Sequence, residues 1–301
     1  MKRQRKQFVT FMIILSLSVI AAAQDSSTVK SGWKYSIYTN LTLSLNGYSD
    51  NWDGGEFSAF SWALQFTGTA EKALTSWFTD KNTLKLAFGQ TALQERNAET
   101  GDKEWQKLKK SSDLIDFESV GSFTLKAFLD PFISFRAVSQ FADIRDTTHT
   151  YYINPATLTE SFGALRNLMK GERVDWSLRL GGALRQSIDR SLPDSFKVTN
   201  DGGIELVTDF KASTKDNRIS YLTQVKVYDA LFSSASDKLE GTSEENFWRY
   251  PDVSWENTLG INLSKYIMLN MYFQLLYDRE IDKKVRTREN IGISLTYSVK
   301  N

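Results

Sequence analysis

Trp33-Lys34-Tyr35-Ser36-Ile37-Tyr38-Thr39-Asn40-Leu41-Thr42-Leu43-Ser44-Leu45 reads as two interleaved lists. The odd positions carry Trp, Tyr, Ile, Thr, Leu, Leu and Leu; the even ones carry Lys, Ser, Tyr, Asn, Thr and Ser. Successive strand side chains point to opposite faces, so this spacing predicts a long strand with one apolar face. The period returns with Phe60, Trp62, Leu64, Phe66, with Leu84, Leu86, Phe88, and with Ile115, Phe117, Phe123, Leu125. It continues with Ile133, Phe135, Ala137, Phe141, with Trp176, Leu178, Leu180, Leu184, and with Ile204, Leu206, Phe210. Four later segments carry Ile219, Tyr221, Val225, Val227; Trp255, Leu259, Ile261, Leu263; Ile267, Leu269, Met271, Phe273, Leu275; and Ile291, Ile293, Leu295, Tyr297, Val299. Residues 156–168 form a weaker segment without a clean apolar face. Counting it, about twelve strands are expected, an even number of the kind found in bacterial outer-membrane barrels.

Alternation alone does not say which face meets water, since a lipocalin-like barrel with an apolar interior gives the same pattern. Strand length favours the membrane, because these segments exceed the five or so residues usual in soluble sheets and match the roughly 9 to 11 of a tilted membrane strand. Connections alternate between short, near residues 71–80, 130–131, 170–173, 215–217 and 264–266, and long, over 94–112, 143–155, 189–202, 233–251 and 278–286. Short turns at one end and long loops at the other are the membrane-barrel asymmetry, which would place both termini in the periplasm. Trp33, Tyr35, Trp77, Phe78, Phe132, Trp176, Tyr266 and Tyr297 fall at the short-turn ends, where an interfacial girdle is expected. The polar face is rich in Ser, Thr, Gly and Asn, unlike the charge-dense exterior of a soluble barrel.

Residues 1–23 read as a signal peptide, with Lys2, Arg3, Arg5 and Lys6 before an apolar core and Ala21-Ala22-Ala23 at the cleavage site. The barrel is expected to fill residues 24–301, with no plug and no periplasmic domain. Of the 37 Lys and Arg, removing the leader's four leaves 33 against 36 Asp and Glu, which argues against a nucleic-acid partner. The chain has no Cys, excluding disulfides, thiolate metal sites and cysteine nucleophiles. No cofactor and no metal is implied.

Asn51-Trp52-Asp53-Gly54-Gly55, Lys81-Asn82-Thr83-Leu84-Lys85-Leu86-Ala87-Phe88-Gly89-Gln90 and Ser112-Asp113-Leu114-Ile115-Asp116-Phe117-Glu118-Ser119 resemble a family of uncharacterised bacterial outer-membrane proteins known as a domain of unknown function. The similarity runs on through Asp130-Pro131-Phe132 and Leu158-Thr159-Glu160-Ser161. It implies an outer-membrane barrel in a Gram-negative envelope and carries no activity. The last strand, Asn290-Ile291-Gly292-Ile293-Ser294-Leu295-Thr296-Tyr297, also resembles the signal read by the barrel insertion machinery, with Asn290, Gly292, Leu295 and Tyr297 as its positions, although it runs on to Asn301.

No catalytic constellation stands out. His149, the one His, lies in a polar loop away from any strand and reads as surface. Asp116 and Glu118 share a strand face and could pair as acid and base, but a salt network with Lys85 and Arg136 fits that position better. Asp50, Asp53 and Glu56 lack the spacing of a calcium loop and read as a turn. Lys103, Lys107, Lys109 and Lys110 around Trp105 form a basic loop able to touch lipopolysaccharide. The expected functional feature is therefore a lumen network of Lys85, Asp116, Glu118, Arg136, Asp175, Arg179, Arg185 and Glu205. This fits a narrow or largely closed solute channel, with an envelope adaptor working through its loops as the second reading and an outer-membrane hydrolase as a third. The expected surroundings are outer-membrane lipid, lipopolysaccharide and an envelope partner protein.

Overall fold

The computed structural model describes residues 32–49, 56–125, 127–146, 148–194 and 197–300. The alternating segments become strands β1 (Lys34–Asn46), β2 (Ala59–Ala73), β3 (Phe78–Arg96), β4 (Lys103–Trp105), β5 (Lys109–Phe123), β6 (Asp130–Ser139), β7 (Ala142–Asp143), β8 (Tyr151–Tyr152), β9 (Ala156–Lys170), β10 (Val174–Ile188), β11 (Val198–Ser213), β12 (Ile219–Ser233), β13 (Asp252–Asn262), β14 (Ile267–Asp278) and β15 (Asp282–Lys300). Setting aside the short β4, β7 and β8, twelve strands pair antiparallel in sequence order and β1 closes on β15. Closure leaves no edge across the wall, as lipid requires.

The register fixes the faces. Leu41 stands between Leu64 and Leu295, and Leu269 stands between Ile261 and Ile293, all on the outer surface. Leu180, Leu184 and Ile293 are more than half exposed, while Asn40, Asp116 and Arg179 are buried. A soluble barrel would bury its leucines; here polar groups fill the inside and apolar groups coat the outside, which is the polarity of a transmembrane barrel.

Three expectations change in detail. The stretch 278–286 is mostly hairpin: β14 runs to Asp278 and β15 starts at Asp282, so the connection is a tight turn. Phe132 does not join the outer girdle. It is buried on the inner face with the Arg179 guanidinium 5.7 Å from its ring, because the two-residue period from outward Ile133 and Phe135 turns it inward. Residues 156–168 form most of β9, with Phe162 outward, opposite Ile133 and Gly182, and Ser161 and Leu165 buried. The leader, Lys126 and the Asn51-to-Gly55 motif lie outside the described residues.

Local geometry in β9 and β10 depends on glycine. A Cβ on Gly163 would sit 2.2 Å from the Leu180 carbonyl oxygen, and one on Gly181 2.3 Å from that of Phe162. The facing pair lets the two strands approach and bend where any side chain would collide. The β1–β15 junction pairs at seven positions, Ser36 to Thr42, against thirteen between β1 and β2.

Candidate functional site: the charged lumen and its mouth

Side chains of both signs face one another across the lumen. Lys85 on β3 reaches Glu256 on β13 at 3.3 Å, five places around the twelve-strand ring. Lys226 on β12 approaches Glu118 on β5 at 3.8 Å, while Arg179 on β10 donates to the same carboxylate at 2.8 Å and stands 3.8 Å from Asp209. Arg136 forms a two-pronged pair with Asp116, at 2.8 and 2.7 Å, across the β5–β6 ladder. Ser161 donates to Glu205 at 3.1 Å, and Arg288 on β15 donates to Ser112 on β5 at 2.7 Å. The Lys85–Glu256, Lys226–Glu118 and Arg288–Ser112 contacts join strands four or five places apart in the ring, so the lumen is laced by side chains.

Toward the long-loop end Arg185 gathers a second cluster. It pairs with Asp252, with Asp201 at 3.1 Å and with Glu280 at 3.7 Å, and its guanidinium lies 4.3 Å from the Tyr228 ring. The carboxylates of Asp252, Asp278 and Glu280 come within 4.8 Å of one another, with Arg185 as the countercharge to two of them. Burial pushes the Glu280 carboxyl, in the turn beyond the wall, up to about 7, and the nearby Asp201 adds to this.

The mouth is covered from within. The β12–β13 connection dips so that Trp248, in the helical turn Phe247–Arg249, packs against Ala183, Tyr228 and Ala230 of the inner face. Arg279 holds this loop from the neighbouring β14–β15 hairpin, 3.9 Å from the Tyr250 ring and 5.0 Å from that of Phe247, and Lys283 lies 5.2 Å over Phe247. Sequence reading placed residues 233–251 in an ordinary outer loop and expected no plug. Nothing in the local pattern marks Trp248 as inward, since it belongs to no alternating run.

A polar clamp beside the mouth was also not foreseen. Asp143, buried, accepts from Arg145 and from Asn154 Nδ2 at 2.8 Å; Arg145 also donates to Asp189 at 2.7 Å, and Asn154 Nδ2 bonds Asp189 at 3.0 Å. The side-chain hydrogen bond from Arg145 holds the Asp143 carboxyl well below the usual carboxylate range, with Asn154 helping and burial opposing. Because the folded-state value is depressed, the clamp's contribution is present above the ordinary Asp range, near 4, and is lost as pH falls through the depressed value. Asp143→Asn should remove that pH dependence and weaken the clamp by about 1.5 to 3 kcal/mol, read as faster amide exchange in residues 140–155 at neutral pH with the barrel intact.

The remaining sequence candidates separate. Asp175 sits at the short-turn end, opposite Lys170 and Lys211, away from the central cluster. Asp116 and Glu118 are held by Arg136 and Arg179, which leaves no free acid–base pair. His149 is exposed in its loop, with Thr148 Oγ1 2.7 Å and an Asp146 carboxylate oxygen 3.7 Å from its Nδ1, contacts confined to neighbours within three residues in the chain. In the last strand, Leu295 pairs with Leu41 and Ile267, and Tyr297 with Thr39; Asn290 lies opposite Tyr272, and Gly292 faces Asn270. Asp201 falls in the expected loop 189–202 and Asp252 just past the expected loop 233–251, yet extending the inward positions of β11 and β13 by two-residue steps reaches both.

The chain is similar in architecture to the COG4313 outer membrane channel from Pseudomonas putida F1, with 14% identity over 92% of this chain and 98% of that one and a TM-score of 0.42. It is also similar to the translocator domain of the autotransporter NalP from Neisseria meningitidis, with 8% identity over 97% of each chain and a TM-score of 0.36. No protein-family model matches the chain and no curated protein is similar to it, so the motif resemblance to an uncharacterised family stands on the sequence alone.

Proposed function

We propose that this barrel is a narrow, gated solute channel of the Gram-negative outer membrane, with short turns and both termini in the periplasm and long loops outside. The observation that carries the reading is the lumen: charged groups face one another across it, and ion pairs bridge it among inward apolar side chains such as Phe132, Leu165 and Val207, with the Trp248 indole nearer the mouth. Ion pairs at a water-filled constriction can exchange partners, so such a lumen passes small polar solutes when the network shifts and is nearly closed at rest. Among the described residues Asp116 and Glu118 are held by Arg136 and Arg179 with no activated nucleophile beside them, so the lumen carboxylates lend the hydrolase reading no support.

The test is single-channel recording in planar bilayers of refolded protein and of Trp248→Ala. The parent should show small, infrequent openings. The variant, lacking the side chain that packs on Ala183 and Tyr228, should open severalfold more often with unchanged barrel content by circular dichroism. A parent and variant that are both silent would favour the second reading, an adaptor whose rigid outer loops bind other envelope proteins. The clamp of Asp143, Arg145, Asn154 and Asp189 is the feature that favours that reading.

A further inference from the structure

The connection after β3 continues the wall: the chain turns at residues 97–102, and β4 pairs back on β3 in nearly the register of β5 and on the same side of β3. Leu45, Phe60 and Ala92 form one hydrogen-bonded row across β1, β2 and β3, all on the outer face. Trp105 and Leu108, on the far side of β3 from β1 and β2, flank Ala92 and form with that row an open apolar cleft of about 290 Å³. Ala92 is buried there although its face is the lipid face. Gln94 N–H donates to Ser58 O on the β2 side of β3 and Gln106 N–H to Leu93 O on the other, both at 2.8 Å, which holds this extension in the plane of the wall.

Charge on this hairpin is sorted by face. In the β3–β4 ladder Gln94 pairs with Trp105 and Arg96 with Lys103, while Glu95 pairs with Glu104. Cross-strand partners share a face and neighbours alternate, so Lys103 and Arg96 stand on the side that carries Trp105, and both glutamates stand on the other. Lys103 Nζ is tied to Ser49 O at 3.0 Å and lies 6.0 Å from the Phe57 ring, and Lys107 is exposed between Trp105 and Leu108 in the chain. An apolar slot with an indole at its wall and cations at its rim, at the long-loop end of a membrane barrel, is complementary to a lipid whose acyl chains continue into an anionic phosphorylated head.

We infer that this cleft is a specific site for lipopolysaccharide, taking one acyl chain between Trp105, Leu108 and the Leu45–Phe60–Ala92 row and its phosphates against Lys103 and Lys107. The acyl chain fills the depression that the small Ala92 leaves among bulkier outward side chains, and the sorted charges select an anionic head over a zwitterionic one. The site rests on the outward direction of the long loops. That direction is tested separately from conductance by labelling Thr100→Cys with a membrane-impermeant maleimide in intact cells, which is clean because the chain has no other Cys. Labelling supports the site and its absence overturns it.

The binding test uses the full mature protein in detergent micelles doped with rough-type lipopolysaccharide, phosphatidylglycerol or phosphatidylethanolamine. Lipopolysaccharide should bind most tightly. Trp105→Ala/Leu108→Ala and Lys103→Gln/Lys107→Gln should each weaken it about tenfold, which is about 1.4 kcal/mol. Glu104→Gln, on the opposite face, should leave binding unchanged. All variants should keep the parent's heat-modifiable gel mobility. Equal affinity for phosphatidylglycerol, or full lipopolysaccharide affinity in either double variant, would overturn the assignment.

Discussion

Met271→Arg is expected to lower the inserted, heat-modifiable fraction by roughly two orders of magnitude, while Gln274→Arg on the same strand inserts nearly as the parent does. Met271 stands between Leu259 and Ile291 near the middle of the apolar outward run of β14, where an Arg at the bilayer midplane costs about 2 to 4 kcal/mol, tenfold for each 1.4 kcal/mol. Gln274 points inward and donates to Glu256 Oε1 at 3.3 Å, so a guanidinium placed there finds a carboxylate. Refolding into vesicles, scored by the unboiled gel shift, checks the pair. Equal insertion of both would mean that the faces of β14 are reversed.

The second large effect is expected from Arg179→Ala/Arg185→Ala. Arg179 binds Glu118 and approaches Asp209; Arg185 binds Asp201, Asp252 and Glu280. Removing both leaves acidic groups without their main countercharge and vacates two large side chains from the passage. Breaking one partner of a fully buried pair costs about 3 to 5 kcal/mol, and hydration of the lumen reduces that here, so the variant should fold with a lower melting midpoint. It should conduct severalfold more than the parent and shift toward cations, because two positive charges have left the path. Conductance and reversal potential identical to the parent's would remove these arginines from any role in controlling passage.

The wall was legible because lipid and lumen impose a strict two-residue period, and a strand such as Trp33 to Leu45 displays it without interruption. Legibility faded where a third environment intervened. The stretch 156–168 looked ambiguous because Leu165 faces inward among packed side chains while Glu160 stands outward between Phe135 and Leu184, so each face of β9 is mixed. Phe132 was misplaced by position alone, when its parity with Ile133 already turned it inward. For the lumen, sequence supplied the charged residues but not their partners: Lys85 lies beside Asp116 in the ladder yet bonds Glu256 across the barrel, a choice set by ring size and side-chain reach. Trp248 and the Asp143 clamp were out of range because loop contacts follow no period, and their partners lie on other connections.

The β1–β15 junction bears on the order in which the ring is made. Most neighbouring strands are hairpin partners, whose ladders can zip as soon as both are present, whereas Ser36 meets Lys300 only when nearly the whole chain has been produced. Loop-closure entropy grows with the length of chain enclosed, so this ladder faces the largest closure term while offering seven pairs, against fifteen between β10 and β11. Assembly therefore runs as a curling sheet whose free margins remain sticky until the final stroke. The chain spends that interval as an aggregation-prone open ribbon, and an escort that shields its first and last strands would be needed most at that stage.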